Sequence, residues 1–287
     1  MADTVRITLP CGHLTPDGKV IREAEIRELT GKTQTLFGRR DIRKNPIEIY
    51  RHILKDCLAS YGGQDFVSEA VLRDMLLGDQ HAILVEIRKL SMGPDITLST
   101  TCANKDCGTK LHAPVNLDDI DVWELPDPDD TDASETYTIE EVRMDFDPKS
   151  VPRLARVFSA SDDGLGVAIK ARFPTVQDAN SAAEEKGNDA IASHAVLGRV
   201  LVEWSDHSGS VDGPVGPDFF LTRSWKAIDW FNSALAIMSP GPEMTKTVVC
   251  EECGFENPTR IESSDFFGSN LGKETPSKLT RRSGKSV

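Results

Sequence analysis

The first thirty residues alternate between apolar and polar positions, which predicts a β-hairpin. The run 4–10 (TVRITLP) is rich in β-branched residues and has the two-residue period of a half-buried strand. A Pro-Asp-Gly sequence at 16–18 supplies turn chemistry. The run 19–30 alternates again, so we predict a second strand that passes into a polar turn.

Helical spacing of apolar residues predicts amphipathic helices in three stretches, 45–61, 175–204 and 223–238. The first begins with Asn45 and Pro46, a helix cap followed by proline at the first helical position. The second begins with Thr175 and Asp178, which resemble a capping box with Asp in place of the usual Glu. A break in this second stretch is predicted near Gly187.

The stretch 68–93 predicts a short helix followed by a longer one. Gly78 is assigned to the break between them, and Asp79 is predicted to cap the second helix. Gly93, followed by Pro94, is predicted to end that helix. The buried stripe predicted for the second helix consists of Ile83, Leu84, Ile87 and Leu90.

Two strand–turn–strand patterns surround pairs of cysteines. The first spans 95–117 and contains CANKDCG (102–108), and the second spans 245–262 and contains CEECG (250–254). In both, an apolar helix ends near Gly or Pro, a β-rich run leads into the cysteine pair and its glycine, and another strand returns. This order suggests an internal repeat.

The two cysteine pairs have the spacing of metal ligands. Zinc prefers four tetrahedral ligands, and four cysteine thiolates form a closed structural site. Glycine permits the positive φ with which a tight turn presents two thiolates. A standard ribbon keeps its pairs within about 15–30 residues, so these distant pairs predict a split ribbon with a domain inserted between its halves. We predict one shared structural Zn2+, bound by Cys102, Cys107, Cys250 and Cys253.

Other interpretations of the cysteines stay open. Cys250 and Cys253 are also compatible with a redox CxxC motif, although such a motif usually lies at a helix N-terminus and here a strand precedes it. Degenerate knuckles that have lost the metal are a further alternative. His13 and His112 are either replacements for a displaced cysteine ligand or ordinary surface histidines. Cys57 is interpreted as a small buried apolar residue on a helix.

The charge of the chain is concentrated in one acidic segment. The formal net charge is −13, and residues 118–147 contain thirteen Asp or Glu and one Arg, a net of −12. Because affinity for phosphates comes from Lys and Arg, this balance argues against nucleic acid as the main partner. The prolines and aspartates of the segment predict a loop or solvated linker. Basic residues cluster at 38–44 and 272–287.

Composition and motifs predict a soluble protein without enzymatic activity. The chain of 287 residues is 39% hydrophobic and 28% charged, and its apolar runs are too short to span a bilayer. It contains no P-loop, no GxGxxG after a strand, no HExxH and no GxSxG. GLGVAIKA (164–171) is assigned to a loop. The N-terminus has no secretory or transit character, which places folding in a cytosol.

We predict an α+β fold in which helices combine with short β-hairpins and a split zinc ribbon built from two distant cysteine knuckles. The predicted segments are 1–126 (N-terminal hairpin, helices and first knuckle), 127–136 (acidic linker), 137–224 (middle α/β insertion), 225–268 (C-terminal helix and second knuckle) and 269–287 (flexible basic tail).

Several motifs in this order resemble the T-even-type phage baseplate hub assembly chaperone and tail assembly protein family, which has relatives in siphophages, prophages and contractile injection systems. The motifs are ITLP (7–10), the GD…IR…S.G helix within 76–93, the first cysteine pair with VNLDDIDVWELP (115–126), RFPTVQDA (172–179), CEECG and DFFG (265–268). The resemblance covers 1–126 and 225–268 and is weak between them. The first cysteine pair departs from the family pattern, because four residues separate its cysteines instead of two.

The resemblance implies a structural or assembly protein of a phage-like tail, in the baseplate hub or tail-tip region. It implies other tail and baseplate proteins as partners, a homo-oligomer or symmetric assembly, and a location in the virion tail or in the host cytoplasm during assembly. The acidic segment and basic patches would then be docking surfaces, because complementary charge sets register and association rate.

Two competing functions are weighed against this one. A nucleic-acid-binding zinc ribbon, such as a transcription or replication accessory factor, should carry basic and aromatic residues on its strands. The second knuckle region (247–261) instead has three Glu and one Arg, which disfavours that function. A tail-tip hydrolase would need a catalytic motif that the sequence lacks.

Overall fold

The computed structural model describes residues 4–15, 17–37, 46–125, 156–183, 189–261 and 263–267. Helices and antiparallel sheets combine there in an α+β fold, as predicted. The helices are α1 (Gly31–Phe37), α2 (Pro46–Cys57), α3 (Glu69–Asp74), α4 (Leu77–Met92), α5 (Val176–Ala183), α6 (Asp189–Val200), α7 (Trp225–Met238) and α8 (Ser263–Phe267). The strands are β1 (Val5–Leu14), β2 (Val20–Ile26), β3 (Leu58–Tyr61), β4 (Asp95–Thr101), β5 (Lys110–Asn116), β6 (Val122–Trp123), β7 (Val157–Asp162), β8 (Val167–Arg172), β9 (Leu201–Asp206), β10 (Gly209–Asp212), β11 (Gly241–Pro242), β12 (Thr245–Val249) and β13 (Glu256–Arg260).

The predicted N-terminal hairpin is confirmed and gains a third strand. β1 pairs antiparallel with β2, and β2 pairs with β3. The prediction of one helix over 45–61 was too long, because α2 ends at Cys57 and Tyr61 pairs with Ala24 of β2. Pairing with β2 overrides the helical spacing of these last residues.

The predicted break at Gly78 and the predicted cap at Asp79 were wrong. α4 begins at Leu77, after an extended residue at Leu76, so Gly78 lies inside the helix. The Asp79 side chain is fully buried and accepts hydrogen bonds from the Cys11 N–H (2.8 Å) and the Tyr61 hydroxyl (2.9 Å). The carboxylate thus joins three elements of the core, where a helix cap had been expected.

The first core lies between the three-stranded sheet, α2, α4 and β4. From the predicted stripe of α4, Ile83, Leu84 and Ile87 are buried, whereas Leu90 in the last turn is 39% exposed. Ile261, Phe266 and Phe267 from the C-terminal end also belong to this core. The segment after β13 is therefore anchored in the N-terminal half of the fold.

The second core packs α7 and the end of α6 against a four-stranded sheet of order β10-β9-β8-β7. The prediction of a loop at 164–171 was wrong, because β8 begins at Val167 and pairs with both β7 and β9. Val167, Ile169 and Ala171 face the core in alternation. The predicted helix 175–204 also ends early, because β9 begins at Leu201.

The capping box predicted at the start of α5 is confirmed. The Thr175 N–H donates to the Asp178 carboxylate (2.9 Å), and the Asp178 N–H donates to the Thr175 Oγ1 (3.3 Å). Burial raises the pKa of Asp178, but the Arg172 guanidinium and the bonds from Thr175 outweigh it and hold the pKa below its usual value.

The two cores meet where α4 touches the segment that leads out of α7. β6 pairs there with β11, and Gly241 (φ 123°) lies against Gly78. A Cβ at position 78 would lie 2.2 Å from the Pro240 carbonyl oxygen. Only a residue without a side chain permits this approach, which positions the start of the second cysteine hairpin.

The predicted linker 127–136, the basic patch 38–44, the tail 269–287 and most of the acidic segment 118–147 lie outside the described residues. The division of the chain into the predicted segments stays a prediction. None of the helices in the described ranges combines the length and the hydropathy that a membrane-spanning segment needs.

We expect Gly78→Ala to lower the free energy of unfolding by about 1–3 kcal/mol, because the new methyl group overlaps the backbone at Pro240. In an uncrowded helix the same change stabilises the protein by about 0.5–1 kcal/mol. The sign of the change in unfolding free energy, measured by urea unfolding, therefore distinguishes a crowded position from an uncrowded one. Gly216→Ala is the control, since Gly216 has φ −75° and open space around it. Equal urea midpoints for Gly78→Ala and the wild type would contradict the close approach.

Candidate metal centre

Two antiparallel hairpins carry the predicted cysteine knuckles. β4 pairs with β5 up to Thr101 and Lys110, and β12 pairs with β13 up to Val249 and Glu256. Each cysteine pair lies in the turn that closes its hairpin, and a helix precedes each hairpin in the chain, α4 in one case and α7 in the other. The order of elements inferred from the sequence therefore occurs twice.

The two turns have the same pattern of backbone hydrogen bonds. The N–H of Gly108 donates to the Asn104 carbonyl (3.3 Å), and the N–H of Gly254 donates to the Cys250 carbonyl (2.8 Å). Both glycines have a positive φ, 61° and 71°. At the base of each turn, the first cysteine N–H donates to the carbonyl of the residue after the glycine, Thr109 or Phe255. The glycines are thus required for the turn conformation.

The wider spacing of the first pair leaves this turn intact. In the second knuckle, the five-residue turn that ends at Gly254 begins at Cys250, whereas in the first knuckle the turn that ends at Gly108 begins at Asn104, so that Ala103 lies between Cys102 and the turn. Ala103 directs its N–H at the side chain of Asn257 in the other hairpin (2.8 Å). Asn104 accepts the Asp106 N–H with its own side chain (3.1 Å).

The four predicted ligands meet at one point. Their sulfur atoms all lie within 4.8 Å of one another. The Cys102 and Cys253 sulfurs are 3.6 Å apart, and the Cys107 and Cys250 sulfurs are 3.7 Å apart. Four sulfurs at about 2.3 Å from a tetrahedral zinc would be about 3.8 Å apart, whereas a disulfide would require about 2.05 Å. The distances fit a metal site with four cysteine ligands and exclude a disulfide in this arrangement.

The thiols differ in exposure and in acidity. Cys102 and Cys250 are buried, Cys107 is half-buried and Cys253 is exposed. Burial raises the pKa of Cys102 to about 11, with the neighbouring thiols adding to the effect. Hydrogen bonding with the side chain and the backbone of Thr109 lowers the pKa of the Cys107 thiol to about 7. Because four thiolates repel one another, their joint deprotonation requires a bound cation.

The other candidate residues lie outside this cluster. The His112 ring is exposed and its Nδ1 is 3.0 Å from the Ser99 Oγ. The His13 ring is half-buried and its Nε2 is 3.2 Å from the Gln64 side chain. Cys57 is buried at the end of α2, as predicted, and burial raises the pKa of its thiol to about 12.

Sequence reasoning missed one residue of the site, Asn257. Its side chain is 3% exposed and contacts both hairpins. The only signal in the sequence is a polar residue in a short strand next to a cysteine knuckle, and such residues usually face solvent.

Comparison with known protein families identifies the class. A sequence model described as T4 bacteriophage base plate protein matches residues 1–195. Since the match spans more than half of the chain, the protein belongs to this family and is a phage baseplate protein. No curated protein and no solved structure matches the chain. The matched region includes Cys102 and Cys107 but ends before Cys250, so the family assignment is independent of the second knuckle.

We expect about one zinc per chain in protein purified without chelator, and none in Cys253→Ser. The exposed Cys253 side chain has little packing to lose, so any loss of more than about 2 kcal/mol in unfolding free energy measures lost metal binding. Metal analysis and urea unfolding, each with and without chelator, provide the test.

The matched control is Cys57→Ala, which removes a buried thiol outside the cluster. It should lose the same stability with and without chelator and keep its zinc. By contrast, the wild type and Cys253→Ser should become equally stable once chelator is added. Less than about half an equivalent of zinc in the folded wild type, or an equally stable Cys253→Ser, would contradict the shared site.

Proposed function

We propose that the chain is a non-enzymatic structural or assembly protein of the baseplate, located in the hub or tail-tip region, and that one structural zinc joins the two halves of its split ribbon. The observation that supports this most is the convergence of four thiols from two distant knuckles in a member of a baseplate protein family.

The site is suited to stabilising the fold. A bound zinc would supply the positive charge that keeps four thiolates together, and four protein ligands leave no position for a substrate. Cys102 and Cys107 present their sulfurs from the first hairpin, and Cys250 and Cys253 present theirs from the second. With the metal bound, these side chains would fix the distance and orientation of two hairpins that lie far apart in the chain.

The second hairpin is also held on both sides of its cysteines. Before it, Gly241 contacts Gly78 at the start of α4. After it, Ile261 and Phe266 insert into the first core. Metal binding would therefore complete a junction that apolar packing has already brought close, and would hold the hairpin rigidly enough to serve as an assembly surface.

The partners we propose are other baseplate and tail proteins. The tip of the second knuckle exposes Glu251 and Glu252, which supports a protein partner and disfavours the phosphates of a nucleic acid. Charge complementarity of this kind would set the register and rate of docking.

Deleting the coding sequence from the phage genome should prevent the formation of complete baseplates. Electron microscopy of lysates would show incomplete tails, and complementation with the wild-type chain should restore them, whereas Cys253→Ser should restore fewer. Mass spectrometry of purified particles then distinguishes a structural component from an assembly factor. A structural component should be present in a fixed ratio to the other baseplate proteins, whereas an assembly factor should be absent. Infectious particles with complete baseplates after deletion would contradict both.

A further inference from the structure

The buried side chain of Asn257 bridges the two cysteine hairpins. It lies on β13, and only 3% of its surface is exposed. Its Oδ1 accepts the N–H of Ala103 in the first knuckle (2.8 Å). Its Nδ2 donates to the carbonyls of Val248 (3.1 Å) and Phe255 (2.9 Å) in its own hairpin. Since one side of the amide faces an N–H and the other faces carbonyls, its orientation is fixed by its partners.

The same amide contacts one ligand residue directly and shares a hydrogen-bond acceptor with another. The Asn257 Nδ2 lies 3.9 Å from the Cys102 sulfur, within reach of a weak N–H···S contact in which one of its two hydrogens is shared between the sulfur and a carbonyl. The Phe255 carbonyl that it shares is also the acceptor for the N–H of Cys250. Asn257 is therefore linked to one buried ligand residue of each knuckle.

The wider spacing of the first cysteine pair supplies the partner of this amide. Ala103 exists as a separate position because four residues separate Cys102 from Cys107. Its side chain is exposed, yet its N–H points inward to Asn257. In the second knuckle, Cys250 itself begins the five-residue turn, and no equivalent residue intervenes. The longer first knuckle and the asparagine thus form one complementary contact.

We infer that Asn257 is the positioning residue of the metal centre, which aligns the two knuckles and donates to the Cys102 thiolate, so that it slows the loss of the bound metal. This inference rests on the proposed zinc site. Partners of this kind orient metal ligands and typically change metal affinity by about 10–100-fold when they are removed. An aspartate of the same shape has no N–H to offer, and its charge would oppose the thiolate and both carbonyls.

The test uses full-length protein loaded with zinc or with Co2+. We expect Asn257→Asp to transfer zinc to a chromophoric chelator at least about tenfold faster than the wild type. The sulfur-to-cobalt charge-transfer band should also shift, which a purely structural defect elsewhere would not cause. Asn232→Asp introduces the same charge on the exposed face of α7 and should match the wild type in both measurements.

A second measurement needs no variant. In the zinc-loaded wild type, the amide hydrogen of Ala103 should exchange at least about tenfold more slowly than that of the exposed neighbour Lys105, because Asn257 accepts it. If Asn257→Asp does not fold, this hydrogen-exchange measurement tests the inference on its own. Equal zinc transfer rates for folded Asn257→Asp and the wild type, or unprotected Ala103, would overturn the role of Asn257 alone. A folded wild type without zinc would overturn the metal site as well.

Discussion

The relative orientation of the two cysteine hairpins depends on the meeting of four thiols that lie far apart in the chain. The nearest sulfur pairs join residues 143 and 151 positions apart, and each pair takes one cysteine from each knuckle. Such an arrangement is costly without a cation, because burial opposes ionisation of Cys102 and neighbouring thiolates repel one another. A metal reverses this balance, so that the free energy of binding becomes free energy of folding.

Apolar packing around the cysteine cluster brings the two hairpins close together. The absence of side chains at Gly78 and Gly241 lets the segment after α7 approach α4. Phe266 and Phe267, in the short helix that follows the second hairpin, pack in the first core. The second hairpin is anchored by these two contacts, so that apolar packing offsets part of the entropy lost when the knuckles are brought together. The metal would then fix their final orientation.

Local chemistry made a large part of this architecture predictable, and long-range contacts account for most of what was not. The alternation around Ile7 and the capping pair Thr175 and Asp178 are local signals, and both predictions are confirmed. Asp79 was misread as a cap because nothing nearby in the sequence reveals its partners on β1 and β3. The strand Leu58–Tyr61 was wrongly assigned to the preceding helix for the same reason, because its pairing partner, β2, is distant in the sequence.

The candidate site also combines features that local sequence predicts with contacts that are long-range. The spacing of cysteines and glycines identified all four members of the cluster, because knuckle turns are local, and their convergence was inferred from the coordination number of zinc. The contact of Asn257 with Ala103 spans 154 residues and has no local signature. The family match over 1–195 also covers the region 127–195, where the resemblance of individual motifs was weak.

If one metal ion is shared by the two knuckles of a single chain, X-ray absorption spectroscopy at the zinc edge should detect it in the monomeric fraction of the full-length protein. We expect one zinc per chain surrounded by about four sulfur atoms at about 2.3 Å. A coordination shell with nitrogen or oxygen in place of sulfur, or folded monomer without zinc, would contradict it.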